Sequence, residues 1–238
     1  MISRNPSIYK LFNEDCNELM KRMPPQSVDL ILTDPPYNIS QYSTGNIPRE
    51  GKSTLNNDIA DWDKKIINPV EYVDAFKRII KPRGNIIIFS GYNQIGDWHR
   101  AFDSEFDTFQ MFVWHKTNPV PKVYRNGFCN SCEFVIFLWN KRHVWNFTTQ
   151  EEMHNFFECP ICSYPERLKA PFHPAQKPLN LIDHFIKIAS NPGNVVFDPF
   201  MGVGTTGVSA IRNGRKFVGS ELNYKYITAA DDRIAPYL

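Results

Sequence analysis

The stretch Val195-Val196-Phe197-Asp198-Pro199-Phe200-Met201-Gly202-Val203-Gly204-Thr205-Thr206-Gly207 decides the fold. Val195–Phe197 reads as a short buried strand. The spacing Gly202-x-Gly204-x-x-Gly207 then lets the backbone turn sharply and approach a ligand closely. Thr205-Thr206 opens a helix and offers two hydroxyls. Strand, glycine turn and helix in this order form a nucleotide-binding corner of an α/β sheet. Glu221 closes the next strand, 19 residues after Gly202, where an acid meets ribose hydroxyls. Taken alone, the pattern also fits a nicotinamide dinucleotide, so an NAD-dependent oxidoreductase is an alternative at this point. Asp198 argues against it, because its carboxylate suits a ligand ammonium group that NAD lacks.

Outward from this corner, short β-rich runs alternate with helical stretches. Strands are expected at 8–12, 28–33, 85–90, 110–115, 134–139, 195–198 and 216–220. Helices are expected at 15–22, 69–80, 92–102, 178–188, 205–212 and 223–234. This alternation predicts a mostly parallel, doubly wound sheet. Pro82-Arg83-Gly84 is expected to separate a helix from its strand. Two segments interrupt the pattern: 40–65 is polar and rich in Gly, Asn and Ser, and 140–174 is irregular. Loops of this length in a compact domain tend to carry function.

The 238 residues suit one α/β domain burying roughly three-quarters of its unfolded surface. The formal net charge is only +2, so a nucleic-acid partner would require positive charge gathered on one face. The 33 aromatic residues permit base stacking but are equally a large core. No apolar run approaches the ~20 residues of a membrane span, and the first residues lack a signal-peptide core. Five cysteines, an odd number, argue against a full disulfide framework. These features predict a reduced, cytoplasmic protein.

The second informative stretch is Val28-Asp29-Leu30-Ile31-Leu32-Thr33-Asp34-Pro35-Pro36-Tyr37. A buried strand runs into two prolines, which fix φ and cannot extend a ladder. The result is a stiff loop at a strand's carboxyl end, where open α/β sheets bind ligands. It holds one carboxylate and one aromatic ring. That set suits activation of an aromatic amine, a poor nucleophile whose lone pair is delocalised into its ring. Asp34 and the Pro35 carbonyl can accept both N–H hydrogens and aim the lone pair. Tyr37 can stack on a base turned out of a duplex.

Together these motifs resemble the amino-methyltransferases of DNA, in the group whose catalytic motif precedes the cofactor motif. Asp34-Pro35-Pro36-Tyr37 looks like the catalytic tetrapeptide, and Asp198-Pro199-Phe200-x-Gly202-x-Gly204 like the S-adenosyl-L-methionine loop. His173-Pro174-x-Gln176-Lys177-Pro178 resembles the segment lining the methionine end of the cofactor. Asp15-Cys16 resembles the acidic turn at its adenine. Trp114-x-Lys116-x-Asn118-Pro119 resembles a segment beside the target-base pocket. Ala175 departs from the threonine often found there, which removes a hydroxyl contact.

The resemblance implies a seven-stranded, circularly permuted Rossmann-like methyltransferase sheet. In it the strands ending at Asp34 and Asp198 are neighbours, and the strand before Asn140 is antiparallel. It implies one catalytic domain, 1–238, with 40–65 a flexible active-site loop and 140–172 a small target-recognition insertion. The cofactor-binding set is Asp15, Cys16, Asp34, Lys177, Asp198, Pro199, Phe200, Gly202, Gly204, Thr205, Glu221, Leu222 and Asn223. The implied activity is methylation of adenine N6 in double-stranded DNA; aspartate at the head of the tetrapeptide favours adenine, and cytosine N4 is the alternative. A homodimer and a cognate restriction endonuclease are further implied partners.

From His115 to Lys177 the chain carries eight Lys or Arg against five Glu. DNA-contact candidates are therefore Lys116, Asn118, Lys122, Arg125, Lys141, Arg142, Arg167 and Lys169. Cys129-x-x-Cys132 and Cys159-x-x-Cys162 have the spacing of a zinc site. Because Cys132 directly precedes an expected strand and the family needs no zinc, no metal is assigned.

Overall fold

Apolar alternation sorts each central strand's side chains onto two faces. Leu30, Leu32, Ile87, Phe89, Val135, Phe137 and Val196 enter one core, while Ile31, Ile86, Ile88, Ile136, Leu138 and Phe197 enter another. The computed structural model describes residues 1–37, 67–122, 125 and 127–238, and the backbone alone of 47–49 and 52–55. The elements in chain order are β1 (Tyr9–Phe12), α1 (Cys16–Arg22), β2 (Val28–Thr33), β3 (Ile47–Arg49) and β4 (Lys52–Leu55). They continue with α2 (Val70–Ile79), β5 (Ile80–Ser90), α3 (Ile95–Phe102), β6 (Thr108–Lys116), β7 (Cys132–Trp139) and β8 (Phe156–Cys159). Then follow α4 (Leu179–Ala189), β9 (Val195–Asp198), α5 (Thr205–Arg212), β10 (Lys216–Ser220) and α6 (Tyr224–Ile234).

The main sheet has the order β1-β10-β9-β2-β5-β7-β6-β8. Only β7 runs against its neighbours; the expected antiparallel strand is this one. Helices α4, α5 and α6 cover one face, and α1, α2 and α3 the other. The first core centres on Phe185 of α4, whose ring meets Phe112 at 5.1 Å and Phe137 at 5.2 Å, both edge-on. The strand carrying the Asp34 loop precedes the glycine-loop strand in the chain, yet β2 and β9 lie side by side.

Two expectations need correction. The sheet has eight strands, not seven. The extra strand, β8, lies inside the 140–172 segment, which is therefore partly an edge of the main sheet. Phe156–Cys159 pairs in parallel with Val113–Lys116. Four residues of which three are at least partly exposed carry no usable period-2 signal. What fixes them is tertiary: Trp114 Nε1 donates to the Cys159 carbonyl at 3.1 Å, and Asn155 Nδ2 to that of Met111 at 3.0 Å.

The second correction concerns Pro82-Arg83-Gly84, which lies within β5 instead of before it. The pairing of β2 with β5 shifts register between Val28 and Leu30, and this bulge absorbs the proline. A Cβ at Gly84 would stand 2.8 Å from the Asp29 carbonyl, so the close approach requires glycine. The expected active-site loop, 40–65, lies outside the described residues apart from the backbone of the β3–β4 pair. Among the described residues no helix is long and apolar enough to cross a membrane.

Candidate active site

Strands β2 and β9 pair in parallel through Leu30↔Val196 and Ile31↔Phe197, so their following loops leave the sheet at one edge. Side chains tie those loops together. Thr33 Oγ1 donates to Asp198 Oδ1 at 2.8 Å, and the Phe200 N–H donates to the same oxygen at 3.0 Å. Beside them opens a cleft of about 430 Å³, within the range of small-ligand sites. Of the residues singled out in the sequence, Asp15, Cys16, Asp34, Pro36, Lys177, Asp198, Pro199, Phe200, Gly202, Thr205, Glu221 and Leu222 line it. The two motifs thus share one cavity.

The glycine loop is braced from three sides. Glu221 accepts the Gly202 N–H on Oε2 at 3.0 Å and the Asn223 N–H on Oε1 at 2.7 Å. Arg233 donates to the Val203 carbonyl at 2.6 Å and to Thr205 Oγ1 at 3.1 Å. Gly202 has φ +52°, and a Cβ there would stand 2.9 Å from His173 Nε2. His173 packs against Tyr226 with the rings tilted and their centroids 4.8 Å apart, and burial lowers its pKa to about 4, so the imidazole is neutral. His173 belongs to the motif expected at the methionine end of the cofactor, and it lines the cleft.

Gly204 and Asn223, expected to bind cofactor, have other work. Gly204 is the left-handed N-cap of α5, pressed against Ala230 of α6. Asn223 caps α6, its side chain accepting the Lys225 N–H at 2.9 Å. Neither lines the cleft, and nor do Pro35 and Tyr37. Burial pushes the Asp198 carboxyl up to about 7, against hydrogen bonds donated by Thr206 and Thr33. Burial likewise raises Glu221. A cleft holding buried carboxylates with raised pKa values is suited to a cationic, hydroxyl-bearing ligand.

Beyond the cleft, Asp34 joins a line of alternating charges that sequence reading missed. Lys177 Nζ lies 2.5 Å from Asp34 Oδ2 and 3.3 Å from Glu133 Oε2. Glu133 Oε1 lies 2.7 Å from Lys116 Nζ. The Tyr37 hydroxyl donates to Glu133 Oε2 at 3.2 Å. Lys177 Nζ also stands 4.9 Å from the Phe89 ring centre and 5.4 Å from that of Tyr37. Burial raises the Asp34 pKa, opposed by Lys177. Burial would also raise Glu133, but Lys177 and Lys116 outweigh it and hold it at about 2. Asp34 Oδ1 is buried with no hydrogen-bond partner among the described residues. An unsatisfied carboxylate oxygen at a cleft is an acceptor waiting for a donor.

The candidate DNA contacts divide by location. The loop from β6 to β7 leaves the sheet on the Asp34 edge, and its Lys122 and Arg125 are exposed. Lys169, exposed, lies over the Tyr164 ring at 4.4 Å. Lys116 is instead only 13% exposed and committed to Glu133. Asn118 accepts the Ile161 N–H at 2.8 Å, and Arg167 donates to the Pro174 carbonyl at 2.7 Å, so both brace loops. Lys141 and Arg142 follow the far end of antiparallel β7, where Arg83 Nε donates to the Arg142 carbonyl at 2.9 Å. They stand at the sheet edge opposite the cleft and leave the cleft-facing set.

The cysteine pairs do not converge on a metal centre. Cys129 and Cys132 are exposed, Cys159 and Cys162 buried. Burial pushes the latter two thiols up to about 11 and about 12. Among the described residues no three His, Cys, Asp or Glu are placed to hold an ion.

Comparisons with known proteins agree with this geometry. The chain is 31% identical over 252 residues to the type II methyltransferase M.HinfI of Haemophilus influenzae, covering 97% of this chain and 69% of that protein. It is 31% identical over 244 residues to the type II methyltransferase M2.DpnII of Streptococcus pneumoniae, covering 94% and 88%. The crystal structure of an M1.HpyAVI–SAM complex superposes with a TM-score of 0.70 at 25% identity, covering 95% of this chain and 99% of that one. The N6/N4 DNA methylase model matches residues 28–232, a span that takes in both loops and the line of charges between them. Hydride transfer is thereby set aside, and the chain belongs to the N6/N4 DNA methylase family.

Proposed function

We propose that this protein transfers the methyl group of S-adenosyl-L-methionine to N6 of adenine in duplex DNA. One observation carries the reading: the Asp34 carboxylate, with one oxygen unsatisfied, shares a single cavity with the glycine loop. When bound, S-adenosyl-L-methionine supplies an electrophilic methyl carbon on a sulfonium. The cleft's residues fit such a molecule. Glu221 suits ribose hydroxyls, Asp15 the adenine end, and the buried Asp198 carboxylate an ammonium group.

On the acceptor side, Asp34 Oδ1 and the Pro35 carbonyl would accept the two amino hydrogens and orient the nitrogen lone pair. Pro36 stiffens the loop, and the Tyr37 ring would stack on the base. Extruding a base costs a few kcal/mol, offset by stacking of about 1–3 kcal/mol. Exposed Lys122, Arg125 and Lys169 are suited to phosphates. Aspartate at position 34 supports adenine over cytosine. Both curated relatives are named type II methyltransferases, which supports a cognate endonuclease as a further partner.

The test is methylation of plasmid DNA with labelled cofactor, followed by digestion to nucleosides. Label in N6-methyladenine is the expected result. Label in N4-methylcytosine would overturn the adenine assignment, and unlabelled DNA the reading as a whole.

Cofactor affinity should depend on pH. A buried Asp198 raised to about 7 is protonated below that pH in the free protein. A ligand ammonium favours the ionised form, so binding expels a proton below about pH 7. Affinity should therefore fall up to about tenfold per unit as pH drops below 7. Calorimetry in buffers of different ionisation enthalpy measures the proton released. A flat dissociation constant from pH 6 to 8 contradicts the assignment.

A further inference from the structure

Glu133 stands at the start of β7, on the sheet edge that carries Asp34, although 99 residues separate them in sequence. It is the central anion of the alternating series Asp34, Lys177, Glu133, Lys116. We propose that Glu133 is a positioning residue for methyl transfer: it holds Lys177 between two carboxylates and fixes the Tyr37 hydroxyl, so that Asp34 keeps one oxygen for the target amine. The proposal rests on the function proposed above.

The argument is one of charge and geometry. An ammonium group between two carboxylates is held in place by its attraction to both. Among the described residues Lys177 meets Asp34 at Oδ2 and Oδ1 has no partner, while Glu133 Oε2 takes the second interaction at 3.3 Å. Without Glu133, Lys177 has Asp34 as its one remaining anion in the series and is free to turn from Oδ2 toward Oδ1. A carboxylate whose second oxygen also faces the cation is a poorer acceptor for a neutral amine. Lys116 would also lose its 2.7 Å partner and keep, among the described residues, the Asn130 carbonyl at 3.3 Å and the Trp114 ring at 5.4 Å. Two lysines would then share the space without the anion between them.

The same oxygen of Glu133 accepts the Tyr37 hydroxyl, which also interacts with Asp34, so Glu133 bears on both the ammonium and the ring. The Tyr37 backbone is separately fixed, its carbonyl accepting from Asn93 Nδ2 at 2.9 Å. Glu133 is held ionised with a pKa of about 2, by Lys177 and Lys116 against the effect of burial. It therefore does not exchange protons with substrate at working pH. It acts as a fixed charge, through Lys177 and Tyr37.

The test uses single-turnover methylation of duplex DNA by the full chain, comparing Glu133→Gln, Glu133→Asp, Lys177→Met, the double variant Glu133→Gln/Lys177→Met, and Asp34→Asn. Glu133→Gln should lower the rate about 10- to 100-fold, the size of a small misplacement of reacting groups. S-adenosylhomocysteine affinity, measured by calorimetry, should stay within about threefold, because Glu133 does not line the cleft. Glu133→Asp should recover part of the rate, which separates positioning from misfolding. The Glu133 charge helps to raise the Asp34 pKa, so its loss should move the acidic limb of the pH–rate profile to lower pH. The double variant should be no slower than Lys177→Met, as expected of residues that act as one unit. A Glu133→Gln variant with wild-type rate and an unmoved acidic limb, beside an inactive Asp34→Asn, overturns this proposal alone. So does a double variant whose losses multiply. An active Asp34→Asn variant removes the carboxylate charge from the chemistry, and this proposal with it; wild-type protein that leaves duplex DNA unmethylated overturns the underlying function.

Discussion

Replacing Asp34 by alanine should cost at least about 10²- to 10³-fold in the single-turnover rate while leaving cofactor binding nearly intact. The reason is what each oxygen does. Oδ2 is held 2.5 Å from Lys177, which fixes the carboxylate's orientation. Oδ1 is buried and unsatisfied among the described residues, and is the proposed acceptor for the target amine. Alanine removes both. The cofactor retains Asp198, Glu221 and the glycine-loop backbone, none of which depends on Asp34 for its hydrogen bonds. Alanine and asparagine both leave a net positive charge in the line of Lys177, Glu133 and Lys116, and asparagine, which keeps the shape, is the companion that isolates the charge. Calorimetry with S-adenosylhomocysteine beside rapid-quench methylation separates the two effects. An alanine variant that methylates at the wild-type rate would remove Asp34 from the chemistry.

Gly204→Val should lower stability by about 2–5 kcal/mol, from left-handed strain and overpacking together. Gly204 has φ +77° and ψ 31°, a conformation that costs an L side chain about 1–2 kcal/mol. A Cβ there would stand 2.6 Å from the Ala230 Cβ and 3.1 Å from its Cα. The second atom is backbone of α6, so no rotamer change relieves the contact. Either α6 or the start of α5 must move, and both abut the braced loop that holds Gly202. The melting temperature should fall by about 5–20 °C, and cofactor affinity should weaken with it. Thermal unfolding by circular dichroism gives the first quantity. A melting temperature within two degrees of wild type would show that the packing here is not limiting. The glycine spacing thus serves helix packing at Gly204 and approach to the cleft at Gly202, a division of labour that the motif alone does not express.

The local parts of this protein were legible in its sequence because they follow short-range rules. Short apolar-rich runs made strands β2 and β9, and Pro35-Pro36 fixed φ. The two informative loops could be named residue by residue, since proline and glycine act on their own backbone. Other features depend on where distant segments meet, and only the tertiary structure decided them. Lys177 and Asp34, 143 residues apart, are joined by the order of strands in the sheet. Glu133 faces the site and Lys141 and Arg142 the opposite edge because β7 alone runs antiparallel, which sends its two ends to opposite sides. Likewise β8 exists because β6 offers it an edge to pair with. Charge pairing and edge pairing have no period along a chain; they are set by which ends the fold brings together.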